Sequence, residues 1–539
     1  MEFSPSHPKA GAYQSFQECG RLWRLQLFGV LMRSPDLAHS HFSTATRSIL
    51  YGLSWTYVSV VLQGLLKLVV LIVLARLVSP RDFGLLGYAL LCASFVERVG
   101  QMGVGPALVQ LKDFDGHAAR TTQTISIFSG MLATIGIWLL APYLASFFGE
   151  PELRSILRVL SFGCLVEGFG AAGDAILQRQ LRFKELTVAD NVSYLLSMGV
   201  IASALAYAGY GVWALVWAQL SLRCIRTLII YGYTKKNIAG KFLFTRATAL
   251  LRVGCGFSIA RLLNFFSLQG DNFVVGRLLG TEALGTYTRS YQLMTLPAMY
   301  MGQLFERVMF PAMAQQQDRM ELLRKQFLFS LEAISLITIP VAILMHLFAQ
   351  EIVLATFGDR WGGMVPIFAI LSGGIFFRTA YKCSDTLARS VGAVYSYAAR
   401  QGLYTLLVMG GAWLGARSWG LSGVAFGVVA ALVLNYLSMT RLSRRILGVS
   451  WMTIVNAHIP GLLLGLFSGT AAWATRGWMQ GITDSPLIVL ITAITTATLS
   501  GCVWLYITYN HVPSTVIQET SALARRLYKP RVGDAEAVG

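Results

Sequence analysis

From residue 48 to residue 508 the chain is a succession of apolar runs separated by short polar breaks. The pattern predicts helices over 48–74, 84–109, 121–148, 155–178, 187–208, 211–233, 247–279, 284–313, 325–349, 362–388, 393–415, 420–441, 453–475 and 485–508. Each is long enough to cross about 30 Å of hydrocarbon. In lipid the backbone must satisfy its own hydrogen bonds, so the runs are read as helices. Those at 247–279 and 284–313 exceed a simple span and are expected to tilt or protrude. The fold class that follows is an all-α integral membrane protein with about 14 transmembrane helices and almost no extramembrane domain.

Composition agrees. Of 539 residues, 55% are hydrophobic and only 13% charged, roughly half the charged share of a soluble protein. Mean hydropathy is +0.57. The formal net charge of +18 would suggest nucleic acid on a soluble protein. Here the Lys and Arg residues gather at alternate helix ends, and no nucleic-acid motif accompanies them. The seven cysteines fall mostly in apolar helices with no CxxC pair, which implies neither a disulfide framework nor a zinc site. The N-terminus lacks a signal-peptide pattern. The stretch Arg21 to Arg33 reads either as a surface amphipathic helix or as a plain tail.

The basic residues set the orientation. One set of ends holds Arg21, Arg24, Arg33 and Arg47, then Lys112 and Arg120, Arg179, Arg182 and Lys184, and Lys235, Lys236 and Lys241. It continues through Arg319, Arg324 and Lys325 to Arg441, Arg444, Arg445 and the tail. The opposite ends carry few, among them Arg76 and Arg277. Both termini are therefore expected in the cytoplasm of a multi-pass membrane protein, which requires an even helix count. The expected organisation is a cytoplasmic tail over 1–47, a first six-helix lobe over 48–233 and a basic linker over 234–246. A second lobe over 247–441, two further helices over 442–508 and a cytoplasmic tail over 509–539 complete it.

The two lobes are related. Ala75-Arg76-Leu77-Val78-Ser79-Pro80-Arg81-Asp82-Phe83-Gly84 aligns with Gly276-Arg277-Leu278-Leu279-Gly280-Thr281-Glu282-Ala283-Leu284-Gly285 at an offset of 201 residues. Arg, Leu and Gly coincide, and the match falls at the same place in the topology of each half. Six helices per repeat is an even number, so the halves enter the membrane with the same orientation, as parallel transporter repeats do.

The stretch Leu74 to Gly84, followed by Gly103-Val104-Gly105-Pro106-Ala107-Leu108-Val109-Gln110, resembles the opening of bacterial polysaccharide flippases of the multidrug/oligosaccharidyl-lipid/polysaccharide exporter superfamily. Asp271-Asn272, Gly276 to Gly280, Leu284-Gly285 and Tyr287 in the second half are similar to the same family. The resemblance covers roughly residues 48–440. It implies a V-shaped pair of six-helix lobes around a central cavity that opens alternately to the two membrane faces. It also implies an undecaprenyl-pyrophosphate-linked oligosaccharide as cargo, with the lipid tail left in the bilayer. Ion coupling, to a proton or sodium gradient, is common in that superfamily. No cofactor is expected. Expected partners are the lipid-linked substrate, membrane lipids and polysaccharide polymerase and export machinery, with no nucleic acid.

Ionisable groups at bilayer depth are costly and mark cavities or partners. Ser59, Gln63 and Lys67 form one polar stripe on the first helix. Arg261, Asn264 and Asp271 lie on the seventh, its repeat counterpart. Arg378, Lys382 and Asp385 follow i, i+4, i+7 on the tenth. A pyrophosphate needs cations at close range; at about 4 Å and an effective dielectric near 20, one unit pair is worth roughly 4 kcal/mol before desolvation. Lys67, Arg98, Arg261, Arg378 and Lys382, with Gln63 and Asn264, are the candidate substrate contacts. Arg suits phosphate through its bidentate fork, Lys as a point charge. The competing reading is internal salt bridges, and for Lys382 snorkelling to headgroups. A carboxylate in a desolvated helix can cycle protons near neutrality, so Glu97, Glu167, Asp174 and Asp271 are the candidates for ion coupling. Arg76 and Arg277, at equivalent corners, read either as gate residues or as headgroup anchors. No Walker A or HExxH sequence occurs, and no loop is long enough for a catalytic domain, so an enzyme is not expected. The alternative cargo is a drug or metabolite exported on the same scaffold.

Overall fold

The computed structural model describes residues 63–64, 66–100, 104–110, 115–238, 241–483 and 485–508. Among them there is no strand; the elements are helices joined by short turns. The first bundle comprises α1 (66–77), α2 (Pro80–Gly100), α3 (Val104–Gln110), α4 (Gly116–Phe148), α5 (Glu152–Arg179), α6 (Phe183–Tyr207) and α7 (Val212–Thr234). The second comprises α8 (Phe244–Leu279), α9 (Thr281–Ala314), α10 (Met320–Leu347), α11 (Ala349–Phe357), α12 (Met364–Ser372), α13 (Ile375–Ser390) and α14 (Val394–Leu447). Then come α15 (Trp451–Asn456), α16 (Ile459–Gln480) and α17 (Pro486–Thr508). Nine helices among the described residues are long and apolar enough to cross a membrane.

The differences from the hydropathy reading have local causes. The span expected at 362–388 is α12 and α13, parted at Gly373-Gly374. The spans expected at 393–415 and 420–441 are the two arms of α14. The chain reverses at Trp419 and Gly420, where Gly420 takes φ 59°, a left-handed conformation open to glycine. The arms then pack so closely that a Cβ on Gly415 would stand 2.1 Å from the Gly423 carbonyl oxygen. Small residues at such crossings let helix backbones touch. The short helix α11 was not expected; it fills the turn between α10 and α12. α8 and α9 are overlong, at 36 and 34 residues, about 54 and 51 Å of helix. The first expected helix, 48–74, lies mostly outside the described residues, as do both tails.

α6 carries one irregularity, a π-helical turn at Leu195–Ile201. Such bulges concentrate at functional positions and rotate the side chains that flank them. Gly199 in that turn faces Val70 of α1.

The α16–α17 pair packs on α10 of the second bundle. His458, just before α16, bridges Ser335 of α10 (2.9 Å) and Tyr436 of α14 (2.6 Å). At the other end Arg476 pairs with Glu351 at 2.6 Å. Cys92, Cys164, Cys224, Cys383 and Cys502 are all free.

Candidate functional site: the face between the bundles

The repeat is visible as a reciprocal contact. Gly84 of α2 lies against Thr281, the first residue of α9, and Gly285 of α9 lies against Pro80, the first residue of α2. In both cases a Cβ would fall 1.9 Å from the opposing carbonyl oxygen. Pro80 and Thr281, like Gly84 and Gly285, are separated by the repeat offset. The two bundles therefore cross backbone to backbone about a local two-fold relation, and only glycine permits that distance.

Around this crossing each bundle reaches into the other. The Arg76 guanidinium donates to the Ala355 and Thr356 carbonyls at the end of α11. Its counterpart Arg277 lies 4.9 Å from the Phe147 ring at the end of α4. Tyr88 donates its hydroxyl to the Gly276 carbonyl at 2.7 Å, and Trp361 donates its indole N–H to the Ala75 carbonyl at 2.8 Å. Glu150 accepts from both Arg81 of α2 and Thr281 of α9. At the opposite end α8 leans on the first bundle, with Leu250 packed among Val104, Ala107 and Ala175.

The helices that form this face, α2, α8 and α9, carry charged residues along their length. Arg98 of α2 lies 5.7 Å from the Phe265 ring of α8, so it crosses between the bundles. Its sequence neighbour Glu97 points the other way, into the first bundle. Lys67 of α1 lies 5.8 Å from the Tyr194 ring, at the edge of the π turn. Gln63, Lys67, Arg98 and Arg378 are each half-buried, retaining accessible surface. The Lys382 amine packs against α9 at Gly302, while Asp385 is held by Arg389 at 2.8 Å. Arg261 and Asn264 belong to α8, but their side chains lie outside the described residues.

Three of the acidic candidates share one place, away from the interface. Glu97, Glu167, Asp174 and Gln178 line a cavity of about 390 Å³ inside the first bundle, with Ser126, Ser129 and Thr227. Two arginines of α7 enter it. Arg223 pairs with Glu97 (3.6 Å) and Glu167 (3.2 Å). Arg226 grips Asp174 with both terminal nitrogens, at 2.7 and 2.8 Å, and Asp190 with Nε at 2.7 Å. The fourth acid stands elsewhere. Asp271 of α8 is 2% exposed and accepts from the Tyr287 hydroxyl (2.7 Å) and the Asn272 amide (2.9 Å). Tyr287 continues to Tyr291, 5.9 Å between rings, and Arg378 of α13 donates to the Tyr291 hydroxyl.

Sequence reasoning missed Arg223, Arg226 and the Tyr287–Tyr291 ladder. The arginines were detectable, since both lie inside an apolar run and meet the same intramembrane criterion as Arg98. Tyr287 stood among the residues that carry the family resemblance, but nothing marked its pairing with Tyr291, because tyrosine is common at membrane depth and at interfaces alike. The Asp113-Phe114-Asp115 triplet has the spacing of a metal-binding pair. Asp115 instead caps α4, accepting from the Ala118 amide at 2.6 Å. No group of three or more metal-ligating side chains occurs among the described residues.

A family model described as polysaccharide biosynthesis protein matches residues 73–366, the segment that contains the glycine crossing. The chain belongs to that family. Its curated relatives include a teichuronic acid biosynthesis protein, TuaB, of Bacillus subtilis, 27% identical over 61% of this chain and 68% of its own length. WzxC, a lipopolysaccharide biosynthesis protein of Escherichia coli, is 23% identical over 76% of this chain and 84% of its own. ExoT, a succinoglycan biosynthesis transport protein of Rhizobium meliloti, is 24% identical over 79% and 90%. Among solved structures, the lipid II flippase MurJ in an inward closed conformation aligns with a TM-score of 0.67 at 14% identity, covering 84% of this chain and 98% of that one. An inward-facing multidrug transporter of the same exporter superfamily aligns with a TM-score of 0.55 at 17% identity, covering 72% and 96%. The family thus carries an exporter-superfamily membrane fold.

Proposed function

We propose that the protein is an alternating-access flippase. It moves undecaprenyl-pyrophosphate-linked oligosaccharide repeat units from the cytoplasmic to the periplasmic leaflet of the inner membrane for surface polysaccharide synthesis. The observation that supports the reading is that Lys67, Arg98 and Arg378 lie half-buried on helices of two repeat-related bundles that cross at Gly84 and Gly285. Cations there offset the charge of a pyrophosphate where the dielectric is low. The crossing supplies a seal at one face that rigid-body rocking can break. The named roles of TuaB, WzxC and ExoT in polysaccharide pathways support the cargo class.

In this reading the Arg76 and Arg277 end faces the periplasm, and the Lys- and Arg-rich ends and both termini face the cytoplasm. Polysaccharide polymerase and export machinery receive the flipped unit. Coupling to a proton or sodium gradient is assigned to Asp271, because Glu97, Glu167 and Asp174 each already face an arginine. The test is complementation in a strain lacking its own copy. Wild type restores surface polymer. Arg98→Gln or Arg261→Ala inserts normally but accumulates lipid-linked oligosaccharide on the cytoplasmic leaflet. Normal polymer from both variants would count against a cationic path for the headgroup.

A further inference from the structure

We infer that Arg289 couples binding of the cargo's pyrophosphate to release of the seal between the bundles. The inference rests on the flippase reading and names a residue that makes the seal responsive to cargo. Arg289 lies on α9 one turn beyond Gly285, on the face that meets the first bundle. Its guanidinium carbon stands 4.3 Å over the ring of Phe83, one residue before Gly84. The opposite neighbour of Phe83 is Trp361, at 5.6 Å between ring centroids, and Trp361 is tied to the Ala75 carbonyl. One aromatic ring of the first bundle thus contacts both an indole and a guanidinium of the second.

The guanidinium is poorly satisfied there. It donates to Gln292 on its own helix, its Nε has no hydrogen-bond partner, and no carboxylate lies within 4 Å among the described residues. Of its five donors the Nε–H is buried without a partner, and the bond from a terminal nitrogen stays on its own helix. Arg289 is half-buried, and the phenol of Tyr194, whose ring neighbours Lys67, is within its electrostatic reach. Arg289 therefore stands between the seal and the cationic stripe of α1.

The repeat sharpens the point. The residue equivalent to Arg289 in the first bundle is Tyr88, fully buried and satisfied by the Gly276 carbonyl. A neutral phenol closes its half of the crossing, so closure by itself needs no charge. The charge appears on one side only, at the position whose guanidinium shares Tyr194 as a neighbour with Lys67.

A ligand shifts a two-state equilibrium only through differential affinity for the two states. With the seal closed, the guanidinium is stacked on Phe83. With the seal parted, the same fork is free to take a phosphate in bidentate fashion, opposite Lys67. Pyrophosphate consequently binds the parted form more tightly and favours opening toward the periplasm.

The experiment measures distances across the seal by paired spin labels at Ser155→Cys and Ser418→Cys, both exposed at that end, in a background without native cysteines. The protein sits in nanodiscs with undecaprenyl pyrophosphate, with undecaprenol, or with neither. In the parent protein the pyrophosphate lipid lengthens the distance and undecaprenol does not. Phe83→Leu raises the open population without lipid about tenfold, as loss of a desolvated cation–π contact implies, and still responds to pyrophosphate. Arg289→Gln raises it similarly and loses the pyrophosphate response, and Arg289→Lys recovers part of that response. A full response in Arg289→Gln, with the parent also responding, overturns the inference and leaves the flippase reading intact. A parent protein indifferent to the pyrophosphate lipid overturns the cargo class and the inference together.

Discussion

Alanine at position 84 should wedge the bundles apart where they cross. Its Cβ would stand 1.9 Å from the Thr281 carbonyl oxygen, and ordinary contact begins at 3.4 Å, so the backbones must separate by about 1.5 Å. The obstruction is backbone on both sides, and no rotamer relieves it. Stretching the 2.7 Å Tyr88–Gly276 and 2.8 Å Trp361–Ala75 hydrogen bonds by that much breaks both. Each is worth about 1 kcal/mol net. The Arg289–Phe83 contact adds about 1 kcal/mol. A loss near 3 kcal/mol moves the closed-to-open ratio by roughly a hundredfold. Gly285→Ala should act alike, because its Cβ meets the Pro80 carbonyl oxygen at the same 1.9 Å. The double variant should add little to either, since one separation relieves both clashes. Gly87→Ala is the control: its Cβ comes no closer than 3.4 Å, to the Leu284 side chain. Interbundle distances from paired labels at this end provide the assay. If monodisperse Gly84→Ala protein kept the parent distance distribution, the crossing would not be the seal.

Other outcomes follow from the same coordinates. Arg223→Gln leaves Glu97 and Glu167 without their shared cation in a half-buried site, and loss of that partner costs about 1–3 kcal/mol. Detergent thermal-unfolding curves should show a large drop, partly reversed when Glu97→Gln and Glu167→Gln are added. An unchanged midpoint would mean the pairs are solvated and weak. Gly415→Leu puts a side chain where the Gly423 backbone stands at 2.1 Å, so the two arms of α14 should fail to dock, seen as loss of membrane-inserted protein. Asp271→Asn keeps the hydrogen bond from Tyr287 but removes the charge. Flipping by this variant should lose its dependence on an imposed ion gradient while retaining downhill movement of cargo, and an intact gradient response would exclude Asp271 as the coupling group.

Hydropathy was enough to locate the apolar helices among the described residues, because a lipid solvent acts on each segment separately and leaves its mark in consecutive residues. The repeat was also legible, since Gly84 and Gly285 hold the same place in two copies of one local pattern. What those glycines touch was not. Their partners, Thr281 and Pro80, are fixed by how two helices cross, which depends on backbones brought together from opposite ends of the sequence. Charges behaved the same way. Sequence singled out Glu97, Arg98, Glu167 and Asp174 as buried ionisable groups, but could not say which faced which. Adjacent residues on a helix diverge by about 100°, so Glu97 joins Arg223 inside one bundle while Arg98 crosses to Phe265 of the other. Composition and spacing determined that charge enters the membrane. Only the packing of distant helices decided whether a given charge found a counter-ion, an aromatic ring or open space.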